Sequence, residues 1–161
     1  MIMSKLTVNE TSGDFTHAVV LNSADLIDIG NGGTKQILNL GANQALLGVY
    51  CSKTVAGFTA DTVINVGTTI GDPDEYFNAL DIGAATVGVL QAGSQASTGG
   101  ESIIGTAAAV ASGEGLVVTG SNTAADKPVY IKITDADIAN ATAGELVIGF
   151  RILDLGRFSQ A

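Results

Sequence analysis

Carboxylates carry most of the potential chemistry in this sequence, and the densest group consists of Asp72, Asp74, Glu75 and Asp81. Hard oxygen ligands in a glycine-flanked turn could hold Ca²⁺, and a pair of carboxylates across a cleft could hydrolyse a glycosidic bond. The spacing lacks the Asp-x-Asp-x-Asp-Gly loop of a calcium site, and these residues suit the first turn of a helix. We therefore interpret Asp72–Glu75 as a helix cap, with metal binding as the open alternative.

The single histidine and the single cysteine form no recognisable catalytic pattern. His17 has no nucleophile in a motif such as Gly-x-Ser-x-Gly, so we expect a surface or half-buried strand residue. Cys51 follows Tyr50 in a long apolar stretch, which is typical of a small core residue. One histidine and one cysteine cannot build a Cys/His zinc site, and one cysteine cannot form an internal disulfide. The sequence therefore predicts no catalytic residues and no cofactor, and we assign no metal ligand.

A glycine-rich stretch at Gly30–Gly33 superficially resembles the fingerprint of a dinucleotide-binding loop. That fingerprint presents the N-terminus of a following helix to phosphate, and no helical pattern follows here. Asparagine and glycine instead supply the positive φ angles of a tight turn. We therefore predict a hairpin turn at Asn31–Thr34.

The charge balance is strongly acidic and argues against nucleic acid as a partner. Seven Lys and Arg residues stand against 16 Asp and Glu residues, which gives a formal net charge of −9 over 161 residues. Proteins that bind a phosphate backbone use clustered basic residues, and those of this chain are scattered. The apolar runs are too short for a membrane span, and Met1–Val8 lacks the apolar core of a secretory signal. We expect neither nucleic acid nor membrane as a partner.

Short apolar or β-branched runs separated by Gly, Asn, Asp and Ser dominate the chain, which is typical of an all-β protein. Strand centres are mostly about 8–14 residues apart, the spacing of a sandwich or barrel. The predicted strands are Lys5–Asn9, His17–Asn22, Leu26–Ile29, Gln36–Leu40, Ala45–Ser52, Thr62–Thr68, Val87–Gln91, Ser102–Ala109, Gly115–Thr119, Pro128–Thr134 and Glu145–Leu153. Alternation in the Pro128–Thr134 strand predicts that Ile131 and Ile133 point inward and Lys132 faces water.

Two short segments carry helical signals. In Gly71–Leu80, Asp72 suits the N-cap and Pro73 the first helical position. Asp135–Ala141 repeats this capping pattern over about one turn. Isolated helices of this length are marginal, so both are expected to be connectors. We therefore predict an all-β fold, a two-sheet antiparallel β-sandwich of jelly-roll type with one or two short connecting helices.

The whole chain, residues 1–161, is interpreted as one β-sandwich domain, because neither side of the low-complexity stretch Gln91–Gly100 carries enough elements to fold separately. An N-terminal arm over residues 1–14 and a C-terminal tail over residues 155–161 flank it. Both ends carry apolar side chains, and we expect these as interface residues: Ile2, Leu6, Leu155 and Phe158. The alternative is that the ends complete the protein's own sheet.

Three stretches carry a resemblance to a known family: Thr62–Gly67 with Gly71–Gly83 and Ala84–Gly88, Pro128–Asp135 with Ala139–Gly144, and Glu145–Asp154. The first is a strand followed by an acidic aromatic turn, the second an alternating strand with its loop, and the third a closing strand. From Thr62 onward, the chain resembles the small jelly-roll cement or decoration proteins on the capsids of tailed bacteriophages.

The resemblance implies a non-enzymatic structural protein of the virion, made in the host cytoplasm and bound to the outer capsid surface. Its expected partners are the major capsid protein, at subunit junctions of the expanded shell, and further copies of itself in a dimer or trimer. One alternative is a glycan- or receptor-binding module of a phage tail or fibre, in which Tyr76 or Tyr130 would present an aromatic surface. Another is a hydrolase with paired carboxylates in a cleft.

Overall fold

A computed structural model of the chain describes residues 16–41, 44–92, 118–119 and 127–154. Strands dominate these residues, together with one α-helix and one short 3₁₀ helix. In chain order the elements are β1 (His17–Asn22), α1 (Ser23–Ile29), β2 (Thr34–Leu40), β3 (Gln44–Val55), β4 (Val63–Gly67), β5 (Phe77–Asp81), β6 (Gly88–Ala92), β7 (Val118–Thr119), β8 (Lys127–Thr134), the 3₁₀ helix η1 (Ile138–Asn140) and β9 (Glu145–Asp154).

The strands form two antiparallel sheets whose pairing is nested along the chain. Sheet A has the order β1-β9-β3-β6, with β7 also paired to β3, and sheet B has the order β2-β8-β4-β5. The first strand thus pairs with the last, the second with the next to last, and so on inward until β4 pairs with its neighbour β5. This nesting across two sheets is the jelly-roll arrangement. The predicted all-β, two-sheet sandwich is confirmed.

The core lies between the sheets and is built from alternate residues of the central strands. In β8, Val129, Ile131 and Ile133 are fully buried, whereas Lys132 points out of sheet B and is partly exposed. In β9, Leu146, Ile148 and Phe150 are buried against them. Side chains two residues apart share a face of a strand, so the alternation in sequence fixes which face packs inward. The prediction for Lys132 is confirmed.

Most predicted strands lie within one or two residues of observed ones. The strands predicted at His17–Asn22, Gln36–Leu40, Thr62–Thr68 and Pro128–Thr134 correspond to β1, β2, β4 and β8, and those at Ala45–Ser52, Val87–Gln91 and Glu145–Leu153 correspond to β3, β6 and β9. Of the strand predicted at Gly115–Thr119, the described residues include β7. Lys5–Asn9 and Ser102–Ala109, like most of Gln91–Gly100, lie outside the described residues.

The helix predicted over Gly71–Leu80 is wrong. Its C-terminal half forms β5, in which Phe77 pairs with Val66 and Leu80 with Ile64 of β4. The residues before it form an irregular connection held by Glu75, whose carboxylate accepts hydrogen bonds from upstream residues instead of capping a helix. Burying Phe77 in the sandwich core outweighs a local capping preference of about 1 kcal/mol.

The strand predicted at Leu26–Ile29 is also wrong, because this segment belongs to α1. Asn22 caps the helix by accepting from the Asp25 N–H at 3.0 Å, and the Asp25 carboxylate accepts from the Asn22 N–H at 3.0 Å. This reciprocal pair is a capping box. The turn predicted at Asn31–Thr34 exists, but it joins α1 to β2 and is not a hairpin turn. The helix predicted at Asp135–Ala141 is confirmed only as the three-residue η1.

Candidate functional site

Four connections meet at one end of the sandwich, because alternate strands of a nested antiparallel fold turn at the same end. They join β1 to β2, β3 to β4, β5 to β6, and β8 to β9, and we call them together the loop end. Hydrogen bonds tie them to one another: the Ser23 N–H donates to Gly144 O at 3.0 Å, and the Ile82 N–H donates to Thr62 O at 3.0 Å. The loop end is therefore a cross-linked surface rather than a set of independent loops.

Lys53 is a buried cation without a carboxylate partner. Its side chain lies on the inner side of β3, and the residue is 2% exposed. The Nζ atom donates to three backbone carbonyls of the β5–β6 connection: Ile82 O at 2.6 Å, Gly83 O at 2.9 Å and Ala85 O at 2.8 Å. It also lies 5.8 Å from the centre of the Phe58 ring. All three ammonium protons are thus satisfied internally, and Lys53 fixes this loop.

Asp135 is the buried anion of the loop end. Its carboxylate accepts hydrogen bonds from the Thr59 hydroxyl, from Thr62 Oγ1 at 2.6 Å and from the Asp137 N–H at 2.8 Å. The Asp135 N–H donates to Asn31 Oδ1 at 3.0 Å, which adds the β1–β2 connection. Burial alone would raise the pKa of Asp135, but these donors stabilise the charged form and hold it below its usual range. Asp135 therefore joins three of the four connections.

Glu75 stabilises the β4–β5 connection by accepting hydrogen bonds from residues of that connection. Its carboxylate accepts from the Thr68 N–H at 2.7 Å and from Thr69 Oγ1 at 2.5 Å. Burial opposes ionisation, but hydrogen bonds from Thr69 and Thr68 bring the pKa of Glu75 below its usual range. The connection lies beside the outer side of sheet B, where Asp72 is 3.9 Å from Lys132 Nζ. This ion pair is exposed and contributes little to stability.

The acidic group that attracted attention in the sequence does not assemble into a metal site. Asp74 lies 3.4 Å from Asn78 Nδ2, whereas the Asp81 carboxylate accepts from the Ala84 N–H at 2.9 Å. No three His, Cys, Asp or Glu side chains come together in a metal-binding arrangement anywhere in the described ranges. Glu75 and Asp81 thus cap backbone groups of their own connections, Asp72 pairs with Lys132 of β8, and the helix-cap interpretation of Asp72–Glu75 is wrong.

Two sequence interpretations of single residues agree with the structure. His17 is half-buried in β1, with Nδ1 3.0 Å from Thr16 Oγ1, and burial lowers its pKa. Cys51 is a core residue with 1% exposure, and burial raises the pKa of its thiol to about 12. A thiol with this pKa is almost entirely protonated at neutral pH and is a weak nucleophile.

The two tyrosines suggested as glycan-binding surfaces lie in different environments. Tyr76 is 5% exposed, and burial together with nearby Glu75 raises the pKa of its hydroxyl. It is therefore part of the core and not an exposed aromatic platform. Tyr130 is half-buried on the outer side of β8. Gly30–Gly33 leads into a strand, so it presents no helix N-terminus to a phosphate group.

The outer face of sheet A is a broad surface whose side chains are mostly small or apolar. It comprises, strand by strand, Ala18 and Val20 of β1, Val147 and Gly149 of β9, Gly48, Tyr50 and Ser52 of β3, and Val89 of β6. Ala18 is opposite Gly149, which is opposite Tyr50, and Val20 is opposite Val147, which is opposite Ser52. Two charged residues belong to this face: Glu145 is at the start of β9, and Arg151 is directly opposite Gly48 of β3.

Two glycines make this face flat around Tyr50. A Cβ atom at Gly48 would lie 2.9 Å from Tyr50 Cε2 and 3.1 Å from its hydroxyl oxygen, so the ring covers Gly48. Gly149 is directly opposite Tyr50 on β9 and adds no side chain beside the ring. Only glycine leaves room for an aromatic ring to lie this close to the backbone. The centre of the face is therefore a level, mostly apolar surface.

Sheet B has a different outer side. Lys132, Asn65 and Thr134 bring polar groups to its surface, and the β4–β5 connection lies across part of it, with Gly71 O 3.5 Å from Lys132 Nζ. The outer faces of the two sheets thus differ in polarity, and a connection lies across part of the outer face of sheet B. In a chain of net charge −9, a sheet face of mostly small and apolar side chains is the more informative of the two surfaces.

Sequence reasoning missed Lys53 and Asp135, although alternation carried the signal. Val49, Cys51 and Lys53 have the same parity in β3, and Ile131, Ile133 and Asp135 have the same parity at the end of β8. Residues of one parity share a face, so both charges point inward at strand ends. The outer face of sheet A was also missed, because it requires the strand order as well as the alternation.

The predicted interface residues Ile2, Leu6, Leu155 and Phe158 lie outside the described residues, as do the arm 1–14 and the tail 155–161. Within the described ranges, no helix has the length and apolar character needed to cross a bilayer. No protein-family model, curated protein or solved structure matches this chain. The outer face of sheet A is therefore the candidate site that the geometry itself provides.

Proposed function

We propose that this chain is a non-enzymatic structural protein that binds a larger protein assembly through the outer face of sheet A. We further propose that the assembly is the head of a tailed bacteriophage. The chain would decorate the expanded shell at junctions of the major capsid protein and stabilise it. The level, mostly apolar face around Tyr50 is the observation that carries this proposal.

Two features of the described residues support a role in binding rather than catalysis. The buried ionisable groups Lys53 and Asp135 have their hydrogen-bonding capacity used by the protein's own backbone and hydroxyl groups. Such groups stabilise a shape and are not poised for proton transfer to a substrate. A rigid loop end behind a flat sheet suits a protein whose function is to be an inert, well-shaped contact.

Mass action explains how such a contact would stabilise a shell. A protein that binds the assembled lattice but not free subunits stabilises the lattice by its binding free energy. Many copies on one symmetric particle then add modest contacts together. The net charge of −9 would keep the unbound protein soluble and would leave the mostly apolar face as the surface of lowest desolvation cost.

Cosedimentation of purified protein with expanded capsids tests the proposal. The decisive variant is Val147→Glu, which places a carboxylate at the centre of the outer face of sheet A. Val63→Glu is the matched control, because Val63 is also a half-buried, outward-facing strand valine but belongs to sheet B. We expect wild type and Val63→Glu to pellet with the capsids, and Val147→Glu to bind at least about tenfold more weakly, which corresponds to about 1.4 kcal/mol.

Two outcomes would contradict the proposal. Equal binding of wild type to unexpanded or unrelated particles would remove the capsid-stabilising role. Equal loss of binding in both variants would mean that the contact does not involve the outer face of sheet A. Far-UV circular dichroism of each variant checks that the sandwich is retained.

A further inference from the structure

Among the described residues, the two sheets have four edges, and three of these edges carry features that discourage another strand from pairing. In sheet B, β2 carries Lys35 and a register shift next to Ile37, and β5 carries Asp81 together with a positive φ of 49° at Ala79. In sheet A, β6 has a register shift at Leu90. Charged side chains and bulges are the devices by which proteins keep sheet edges from associating.

The fourth edge, β1, has none of these features. Its six residues His17–Asn22 pair with β9 in an unbroken register, and they include no Lys, Arg, Asp, Glu or Pro. Among the described residues, no strand lies on the other side of β1. A regular, uncharged edge of this length is a template for strand addition.

The alternation of hydrogen bonds between β1 and β9 determines which backbone N–H and C=O groups of β1 point away from the sheet. The Ser23 N–H donates to Gly144 O just beyond the C-terminal end of β1. Counting back from Ser23, every second residue of β1 therefore forms a hydrogen-bonded pair with β9. That phase turns the N–H and C=O groups of Ala18 and Val20 away from β9. The Asn22 N–H has the same phase and donates to the Asp25 carboxylate at 3.0 Å, which closes the edge at its C-terminal end.

We infer that β1 pairs with β1 of a second copy of this chain across a two-fold axis, forming one continuous sheet from the two five-stranded sheets A. Antiparallel pairing centred on Val19 places Ala18 of each copy opposite Val20 of the other. Because both residues offer their N–H and C=O groups outward, this register forms about four new backbone hydrogen bonds. It also keeps Val19 of both copies on the core side of the joined sheet.

Charge favours a second copy as the occupant of this edge. With a net charge of −9, most approaches between two copies bring carboxylates together. The β1 edge has no acidic side chain, and the one carboxylate near its end, Asp25, is engaged by the Asn22 N–H. Two-fold pairing is also self-complementary, because each copy uses the same strand, and two-fold dimers are the commonest closed oligomers.

The joined sheet would enlarge the candidate binding surface. Ala18 and Val20 lie on the outer face of sheet A, so pairing two β1 strands makes the outer faces of the two copies continuous. One particle contact would then involve two mostly apolar faces in a single surface. The inference itself rests on the edge geometry of β1, and it holds for whatever partner the face binds.

Light scattering on the purified full-length chain tests the pairing. We expect a wild-type mass of twice the 16.2 kDa of one chain. Val20→Lys should reduce the mass to that of one chain at the same concentration, because it places two like charges at the joined edge. Val89→Lys is the matched control on the other edge of sheet A: Val89 faces outward and is 71% exposed, and its replacement should leave the dimer intact.

Amide hydrogen exchange gives a second readout that does not depend on a variant. In a β1-paired dimer, the Ala18 and Val20 amides should be protected, and dilution to the monomer should remove that protection. A wild-type monomer would overturn the inference; if its Ala18 and Val20 amides were protected, another part of the same chain would cover β1. A dimer unaffected by Val20→Lys would overturn it as well.

The test is separable from that of the proposed function. A dimer that Val20→Lys dissociates but that fails to bind expanded capsids would remove the capsid proposal and leave the edge inference standing. A monomeric wild type that binds capsids through Val147 would do the opposite.

Discussion

The loop end and the outer face of sheet A use the composition of this chain in opposite ways. The loop end concentrates polar chemistry: Lys53 and Asp135 are buried there, and backbone groups or hydroxyls satisfy them. The outer face of sheet A has small and apolar side chains with glycines beneath a tyrosine ring. The loop end thus stabilises the shape of the sandwich, whereas the outer face of sheet A forms a level outer surface.

This difference bears on where function is to be sought among the described residues. Buried, hydrogen-bonded charges attract attention as candidates for catalysis, but here their hydrogen bonds lead back to the chain's own loops. A mostly apolar surface in a strongly acidic chain is the less conspicuous signal and the more useful one. Substitutions in the loop end should lower the free energy of unfolding, whereas substitutions in the outer face of sheet A should weaken binding.

The largest effect is expected from Lys53→Met, which removes the ammonium group while keeping a chain of similar length. Three carbonyls of the β5–β6 connection lose their donor, and unsatisfied buried polar groups are costly. We expect the free energy of unfolding, measured by urea titration, to fall by about 3 kcal/mol.

Lys132→Met is the matched control for that measurement. Lys132 is 27% exposed, and its ion pair with Asp72 is 3.9 Å long and solvent-accessible. Its replacement should cost less than about 1 kcal/mol. Equal effects of the two substitutions would show that the internal bonds of Lys53 contribute no more than a surface ion pair.

Asp135→Asn is expected to have the next largest effect, and the effect should depend on pH. The folded protein holds the pKa of Asp135 below its ordinary 3.8, so the charged carboxylate stabilises the fold above that value. The contribution is lost as the pH falls through the lowered pKa. We expect Asp135→Asn to cost about 2 kcal/mol at pH 7, from weaker hydrogen bonds to the threonine hydroxyls.

Urea titrations at a series of pH values check both parts of this prediction. The difference between wild type and Asp135→Asn should shrink below the ordinary pKa of 3.8. Asp137→Asn is the control, because Asp137 is exposed and its side chain makes no cap hydrogen bond to η1, and it should change stability by less than about 0.5 kcal/mol. A pH-independent difference at Asp135 would mean that its charge does not stabilise the fold.

Alternation and spacing predicted most of the fold, because a strand with one buried face records that face in its sequence. Ile131, Lys132 and Ile133 could be assigned to opposite faces from sequence alone, and the structure agrees. The same parity rule, carried one step further, would have placed Lys53 and Asp135 inside. The charge of both residues argues for the opposite assignment, because charged side chains at strand ends are mostly exposed.

Local signals misled where tertiary contacts decide the outcome. The capping residues around Asp72 and Glu75 suit a helix, but Phe77 is buried only if its segment pairs with β4. Conversely, the sequence contains the Asn22 and Asp25 capping box, but the short apolar run Leu26–Ile29 favoured a strand. The outer face of sheet A could not be predicted, because it brings β1 beside β9, more than a hundred residues later in the chain.

The smallest effect on stability, and the sharpest distinction between the two regions, is expected from Gly48→Ala. The added Cβ would lie 2.9 Å from Tyr50 Cε2, so the ring must leave its position over the strand. Because a tyrosine ring on an outer face can rotate, and because alanine restricts the unfolded chain more than glycine does, the free energy of unfolding should change by less than about 1 kcal/mol. Binding to expanded capsids should nevertheless weaken, since the level surface is lost.

Gly71→Ala is the control, because a Cβ there meets nothing within 4 Å, and it should change neither property. If Gly48→Ala binds as wild type does while near-UV circular dichroism reports a displaced tyrosine, the flatness of this face is not what a partner recognises.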